Sequence, residues 1–469
     1  MDRPRTNGAE PHAPLYRELP RPHGFEALRV EGTLPPELAG TLYRNGPGRF
    51  GSFGRRYYHL FESDGALTAV RFGGGRAEGA HRVLESEGLR EERAAGRPLF
   101  GSVVSRPRRA LNNLRGRAKN LANTNVLVWQ GRVFGLLEAS KPLQVSPEDL
   151  ATLGECDLGG AVVNTFSAHP HFVAARSAFY NFGMRFGPKS AVDLYELPLR
   201  GPARRLGAFP LDAPTALHDF IATERHLVFC LAPTRLNLFR ALTGETRPER
   251  LFDWRPAEGS ELVVVPIDAP EQIQRFRTEA FFVWHFANAF ERGPELVLDF
   301  VRHADVSALG TMRDEAARQG GVIDMNLGEA CRARLDPKTG RFDAERLPGP
   351  RCEFPTIDGR GAGAPRRYVW LTLSDGEARG IGRLDCERGE LVRWTLPPGQ
   401  HPSEAVFAPR PGGGELDGYV LVLVYDERRE TSHVAVLDAA APEAGPRAAA
   451  HFDHHVPVTL HGTWVAEAP

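Results

Sequence analysis

Short apolar, β-branched runs, each closed by a turn rich in Gly, Pro or Asp, recur along almost the whole chain. "NVLVWQGRVFGLLE" (125–138) reads as strand, Gln-Gly turn, strand. "YYHLFESDGALTAVRF" (57–72) reads the same way about Asp64-Gly65, and "PELVLDFVRH" (294–303), "RYVWLTLSDG" (367–376) and "GYVLVLVYDERRETSHVAVLDAA" (418–440) continue the pattern. Helical signals are few. "SPEDLATLG" (146–154) is a candidate, opened by Ser146 or Pro147 and closed by Gly154, and "ADVSALGTMRDEAARQGG" (304–321) is another. A faint period runs through the second half: Leu335-Asp336, Leu384-Asp385 and Leu437-Asp438 follow one another at 49 and 53 residues. Units of this length, each of about four short strands, are what a β-propeller produces. A sandwich explains neither the spacing nor so long a strand-rich chain.

Composition agrees with a single large all-β body. Of 469 residues, 42% are hydrophobic, with 49 glycines and 38 prolines to make turns. Mean hydropathy is −0.33. The reading is a polar N-terminal extension over 1–24 and one propeller catalytic domain over 25–469. Net charge is −1, so no global field draws the chain to nucleic acid, and there is no phosphate-cradling Gly-rich loop or basic-aromatic motif. The opening "MDRPRTNGAEPHAP" lacks the apolar stretch of a signal peptide, and no run of about 18 apolar residues suggests a spanning helix. Five cysteines without a CxxC pair argue against a disulfide framework and for a reducing, cytoplasmic setting, in which they act as small apolar fillers.

The candidate chemistry lies in the histidines. Of sixteen, His12, His23, His401, His451, His454 and His455 lie in Pro-rich or polar surroundings and read as loop residues. Four others sit in apolar or aromatic runs: His169 in "FSAHPHF", His218 in "ALHDFIA", His285 in "FFVWHFANAF" and His461 in "VTLHGTWV". One such histidine alone is more often a satisfied core residue than a ligand. The spacings, 49, 67 and 176 residues, are one blade, one blade with an insertion, and about three blades. A propeller brings the inner strand of each blade to one axis, where four neutral imidazoles suit Fe, Zn, Cu or Ni. Glu138, Glu353 and Glu404 also sit among apolar neighbours, where an unpaired carboxylate is costly. Carboxylates behind ligating imidazoles would take the second ring N–H of each.

These residues resemble the carotenoid cleavage oxygenase family. "GTLYRNGPGRF" (40–50), "KNLANTNVLVWQGRVFGLLEASKPLQVSPEDLATLG" (119–154), "SAHPHF", "LHDFIATERHLVF", "HFANAFE", "EFPTID", "EAVFAPR" and the terminal "LHGTW" follow in that family's order, from about Phe25 to the C-terminus. The resemblance implies a seven-bladed β-propeller with a helical or loop cap over a metal site. It implies Fe(II) held by His169, His218, His285 and His461, with Glu138, Glu353 and Glu404 behind them. Within "AHPHF" the family's ligand is the first histidine, so His169 is the ligand and His171 the bystander. The implied reaction uses O2 to split a conjugated C=C bond into two carbonyls on an iron with two further coordination positions. Two departures bear on substrate shape: Leu60 stands where Trp is common, and Phe290 where Tyr is usual.

Two substrate classes occur in the family, apolar carotenoids or apocarotenoids and hydroxylated stilbenes. Its stilbene-cleaving members carry a lysine directly before the position of Glu138. Here that residue is Leu137, which cannot ionise or bind a phenol, so the isoprenoid class is favoured and Leu137 is placed in the substrate pocket. Residues 99–119 and 231–244 mix apolar side chains with arginines (Arg106, Arg108, Arg109 and Arg115 among them), as a segment resting on an anionic bilayer would. The alternative is a solvated basic loop packed into the cap. Three other readings are a Ca2+ propeller hydrolase, which would need oxygen rather than imidazole ligands, a non-catalytic apocarotenoid-binding propeller, and an iron-dependent isomerase.

Overall fold

The computed structural model describes residues 14–187, 189–313, 325, 328–376 and 378–467. These form seven antiparallel sheets of four or five strands, the blades of a propeller. The innermost strands, in chain order, are Asn125–Trp129 (blade 2), His171–Val173 (blade 3), Phe220–Ala222 (blade 4), Phe282–Arg292 (blade 5), Arg351–Thr356 (blade 6), Gln400–Pro409 (blade 7) and His461–Ala466 (blade 1). The C-terminal strand thus enters blade 1 beside Gly40–Arg49, while the N-terminal strands His23–Ala27 and Arg29–Gly32 form the outer edges of blades 1 and 7. Both termini lock the ring. Inside the segment read as a polar extension, Leu15 and Tyr16 are buried.

Burial explains the strand patterns. Gly418–Asp426, second in blade 7, is buried at all nine positions, because both faces of a middle strand meet a neighbouring blade. A continuous apolar run is the signature of such a strand. The outer strand Glu390–Thr395 has only one buried position, Trp394, and exposes Glu390, Arg393 and Thr395. The core divides into wedges, one per blade junction: Leu127, Phe134, Phe166 and Tyr195 fill blades 2–3, and Val228, Val264, Phe286 and Leu298 fill blades 4–5. The Leu335, Leu384 and Leu437 period is structural, since all three lie on the third strands of blades 5, 6 and 7. The Gln130-Gly131 hairpin forms as its sequence requires, both residues having positive φ (51° and 73°).

Two local expectations are corrected. Asp64-Gly65 is not a hairpin turn but the start of the strand Asp64–Gly73, preceded by a 3₁₀ turn at Leu60–Glu62. Gly65 is needed for close approach instead, as a Cβ there would lie 2.3 Å from the Ala122 carbonyl oxygen. "SPEDLATLG" is not a helix but a hairpin between Leu143–Val145 and Thr152–Glu155. The Ser146 hydroxyl donates to Asp149 (2.7 Å), and Leu150 takes a left-handed φ of 62° with its side chain fully buried. The polar N-cap signal is used to make a tight turn. Of 304–321, Ala308–Thr311 is helical, and 314–321 lies outside the described residues.

The cap comprises α1 (Glu87–Ala95), α2 (Arg106–Leu114), α3 (Leu238–Leu242), α4 (Pro248–Leu251) and α5 (Ala308–Thr311). α1 and α2 connect blade 1 to blade 2, and the others connect second to third strands of blades 4 and 5. In antiparallel blades these connections leave from the same face, so the helices cover one end of the axis. The Arg106 and Arg109 guanidinium groups donate to the carbonyls of Thr243 and Gly244 (2.9 and 2.6 Å), and Asn113 to that of Ala241 (2.7 Å), fastening α2 to α3.

Candidate metal centre

Every blade sends one of the seven predicted side chains to the axis. His169 and His218 each sit two residues before the innermost strand of blades 3 and 4, and His285 lies within that of blade 5. His461 opens the innermost strand of blade 1. Glu353 and Glu404 lie within those of blades 6 and 7. Glu138 follows the second strand of blade 2, two residues beyond its end at Leu136. Adjacent strands are tied together by Asp219, whose carboxylate accepts from Phe286 N (2.7 Å) and Phe220 N (2.8 Å) and pairs with His171 Nε2 (2.8 Å). His171 therefore faces Asp219, outside the histidine cluster.

The four imidazoles converge, with one nitrogen of each lying within 4.8 Å of the others. Nε2 of His218 is 3.0 Å from that of His169 and 3.2 Å from that of His285. Three rings have their other nitrogen fixed: His218 Nδ1 to Glu138 (2.9 Å), His285 Nδ1 to Glu353 (2.5 Å) and His461 Nδ1 to Glu404 (2.8 Å). An ionised carboxylate only accepts, so each Nδ1 carries the hydrogen and each Nε2 presents a lone pair. His169 has Glu138 at 4.0 Å from its Nε2 and donates its backbone N–H to Ser167 Oγ. Lone pairs facing one another at about 3 Å repel unless a cation lies between them. Bonds of about 2.1 Å to one ion would place neighbouring nitrogens about 3.0 Å and opposite ones about 4.2 Å apart, so the donor set fits a borderline divalent metal.

Electrostatics point the same way. Burial, then the charges of the other three histidines, holds His169 well below the ordinary imidazole range, which keeps it neutral. Burial also lowers His285, against the opposing pull of Glu353. Burial raises each carboxylate, but the paired histidines outweigh it, and Glu138, Glu353 and Glu404 all end below the usual range. Three carboxylates offset the charge of a divalent ion in a site where their side chains are 26%, 2% and 6% exposed. Glu138 is the open corner.

Several supporting groups were not singled out from sequence. Arg44, 1% exposed, donates to Glu404 (2.7 Å), and His303 Nε2 lies 2.8 Å from the second oxygen of Glu353. Trp284 meets His218 edge-on at 4.7 Å, and Phe354 stacks on His285 at 5.3 Å. Arg44 sits in the quoted "GTLYRNGPGRF", and an arginine between buried apolar positions was the available signal. Leu137 is half-buried between the end of its strand and Glu138. Of the five predicted apolar fillers, Cys230, Cys331, Cys352 and Cys386 are free and buried, while Cys156 is free, half-buried and accepts from Arg132 (3.1 Å); burial pushes the Cys331 thiol up to about 11.

Comparison with known proteins gives the family. A family model described as RPE65, retinal pigment epithelial membrane protein, matches residues 13–466. The chain is 31% identical to apocarotenoid-15,15'-oxygenase of Synechocystis sp., over 96% of this chain and 95% of that one. It is 28% identical to resveratrol cleavage oxygenase 1 of Chaetomium globosum, over 97% and 88%. The crystal structure of cobalt-substituted Synechocystis ACO superposes with a TM-score of 0.88 at 29% identity, covering 97% of this chain and 98% of that one. With the match spanning propeller, cap and all seven axial side chains, the chain belongs to the RPE65/carotenoid cleavage oxygenase family.

Proposed function

We propose that the protein is a non-haem Fe(II) dioxygenase that uses O2 to split a conjugated C=C bond of a carotenoid or apocarotenoid into two carbonyl products. The observation that carries the reading is the convergence of four imidazole nitrogens, three of them set as lone-pair donors by carboxylates behind the rings. His169, His218, His285 and His461 are the iron ligands. Glu138, Glu353 and Glu404 orient three of them and balance charge. Bound iron supplies the O2-activating chemistry, and the chain supplies position and dryness. Trp284 and Phe354 wall the centre with aromatic surface.

A cleft opens on the capped end beside Phe354 and Glu404. Its lining joins apolar side chains, including Leu15, Met325, Leu423 and Val458, to polar ones such as Arg379 and Ser403, and among the described residues the buried Tyr425 hydroxyl and His401 Nδ1 there have no hydrogen-bond partner. An apolar polyene with one oxygenated end suits such a lining. The apocarotenoid oxygenase among the relatives supports this class, and Leu137 beside Glu138 supports it against a phenol. The resveratrol-cleaving relative keeps a second reading, a hydroxystilbene substrate, in view.

The cap supports peripheral membrane contact of a particular kind. Of the basic residues in 99–119, Arg106 and Arg109 are engaged in α2–α3 packing, Arg117 pairs with Glu91, and Lys119 is buried against Asp64 and Glu92. Leu114, Leu238, Phe239 and Leu242 are exposed on the same two helices, at 70%, 45%, 76% and 49%. Docking would rest on apolar insertion more than on charge. The substrate test is turnover of an apocarotenal beside a 4-hydroxystilbene by the iron-loaded protein. Cleavage of the apocarotenal, with a Leu137→Lys variant gaining stilbene activity, is expected. Cleavage of the stilbene alone would overturn the isoprenoid assignment.

A further inference from the structure

A second convergence of imidazoles lies off the axis, at the seam where the chain passes from blade 7 to the innermost strand of blade 1. His23 opens the outermost strand of blade 1 and pairs across to His81. His454 lies in the connection between Pro446–His451 and His461–Ala466. The Nε2 atoms of His23 and His454 are 3.0 Å apart. Each ring has its Nδ1 at 2.8 Å from a backbone carbonyl, Gly24 for His23 and His455 for His454. A carbonyl only accepts, so both Nδ1 atoms carry hydrogen and the two Nε2 lone pairs face each other. A ring nitrogen bound to metal is ordinarily backed in this way, by a carbonyl or carboxylate on the other nitrogen.

The arrangement repeats that of the axial centre, where His169 and His218 also meet Nε2 to Nε2 at 3.0 Å. Two bonds of about 2.05 Å at a tetrahedral angle place their nitrogens about 3.3 Å apart, close to what is seen. His81, 1% exposed, has its ring 6.3 Å from that of His454, and its buried Nε2 has no hydrogen-bond partner among the described residues. The carboxylate of Asp453 is 3.9 Å from His454 Nε2, exposed and paired with Arg21 at 3.4 Å. A cleft lined by Arg21, His23, Glu26 and Asp453 gives solvent access.

We propose that His23 and His454 are the protein ligands of a second metal site, for a borderline divalent cation such as Zn(II), with Asp453 and water completing the coordination. The ion joins the N-terminal strand to the segment that leads into the closing strand. It clamps the ring at the junction where both termini meet, remote from the reaction.

The test uses the iron-loaded protein, freed of loosely bound metal and titrated with Zn(II), with iron and zinc counted per chain. The wild type should take up one zinc beyond its iron and unfold at a higher temperature with it. His23→Gln and His454→Gln should bind no second metal while keeping iron and cleavage activity. Co(II) added to the iron-loaded wild type should give the absorption bands of a tetrahedral ion, a readout that needs no variant to fold. A wild type that takes up iron alone, with no Co(II) bands, overturns the proposal and leaves a proton shared between the two rings. A second equivalent that both variants still bind also overturns it.

Discussion

Two of the three axial carboxylates are held from several sides, while Glu138 rests on His218. Glu404 accepts from His461 Nδ1 and also from Gly462 N and Arg44, and Glu353 accepts from His285, Phe354 N and His303. The imidazoles of His461 and His285 are therefore oriented before a metal arrives. Glu353→Gln should keep the packing but remove the charge that fixes the His285 tautomer, and lower iron affinity about 10–100-fold by equilibrium titration. His285→Ala should abolish O2-dependent cleavage, and retained activity with full iron loading would refute its assignment as a ligand. The histidines and glutamates were legible in the sequence because polar groups stood in apolar runs at blade spacing. Arg44 and His303 were not, because each acquires its meaning from a partner distant in the chain (360 and 50 residues).

At the scale of elements, turns were harder to read than strands. Asp64-Gly65 carries the usual hairpin signal, yet the glycine answers to the Ala122 carbonyl, a contact that no local pattern encodes. Gly65→Ala should destabilise by about 1–3 kcal/mol in denaturant unfolding, since backbone must move to admit the methyl group. α1 is short and highly charged, and it is fixed by the Ser86 cap and by burial of Glu92 against Lys119, so an apolar periodicity could not announce it. On α2 and α3, Phe239→Asp with Leu114→Asp should abolish flotation with vesicles while leaving turnover of detergent-dispersed substrate unchanged. Wild-type flotation should persist on uncharged lipid and at high salt. Binding that disappears with salt would show that charge rather than apolar insertion carries it.

The whole molecule distributes its core among blade junctions and its chemistry among blades, one axial side chain from each. That division let a degenerate period reveal the architecture, since every blade repeats a strand order even where its sequence has drifted. Stability should depend on acidity in a definite direction. Burial, with His451 beside it, lowers His433 to about 4, so between about pH 6.5 and 4 the unfolded chain holds a proton that the folded chain refuses. Stability then falls with pH across that window, by about 1.4 kcal/mol per pH unit for this group. His433→Phe should flatten the fall in urea midpoints between pH 7 and pH 5. The central claim, iron-dependent cleavage at the four-histidine centre, is met most directly by measuring O2 uptake and products together on the Fe(II)-loaded protein with an apocarotenal. One O2 consumed for each pair of carbonyl products is predicted. No O2 uptake with iron fully bound, or an isomerised polyene formed without it, would contradict the account.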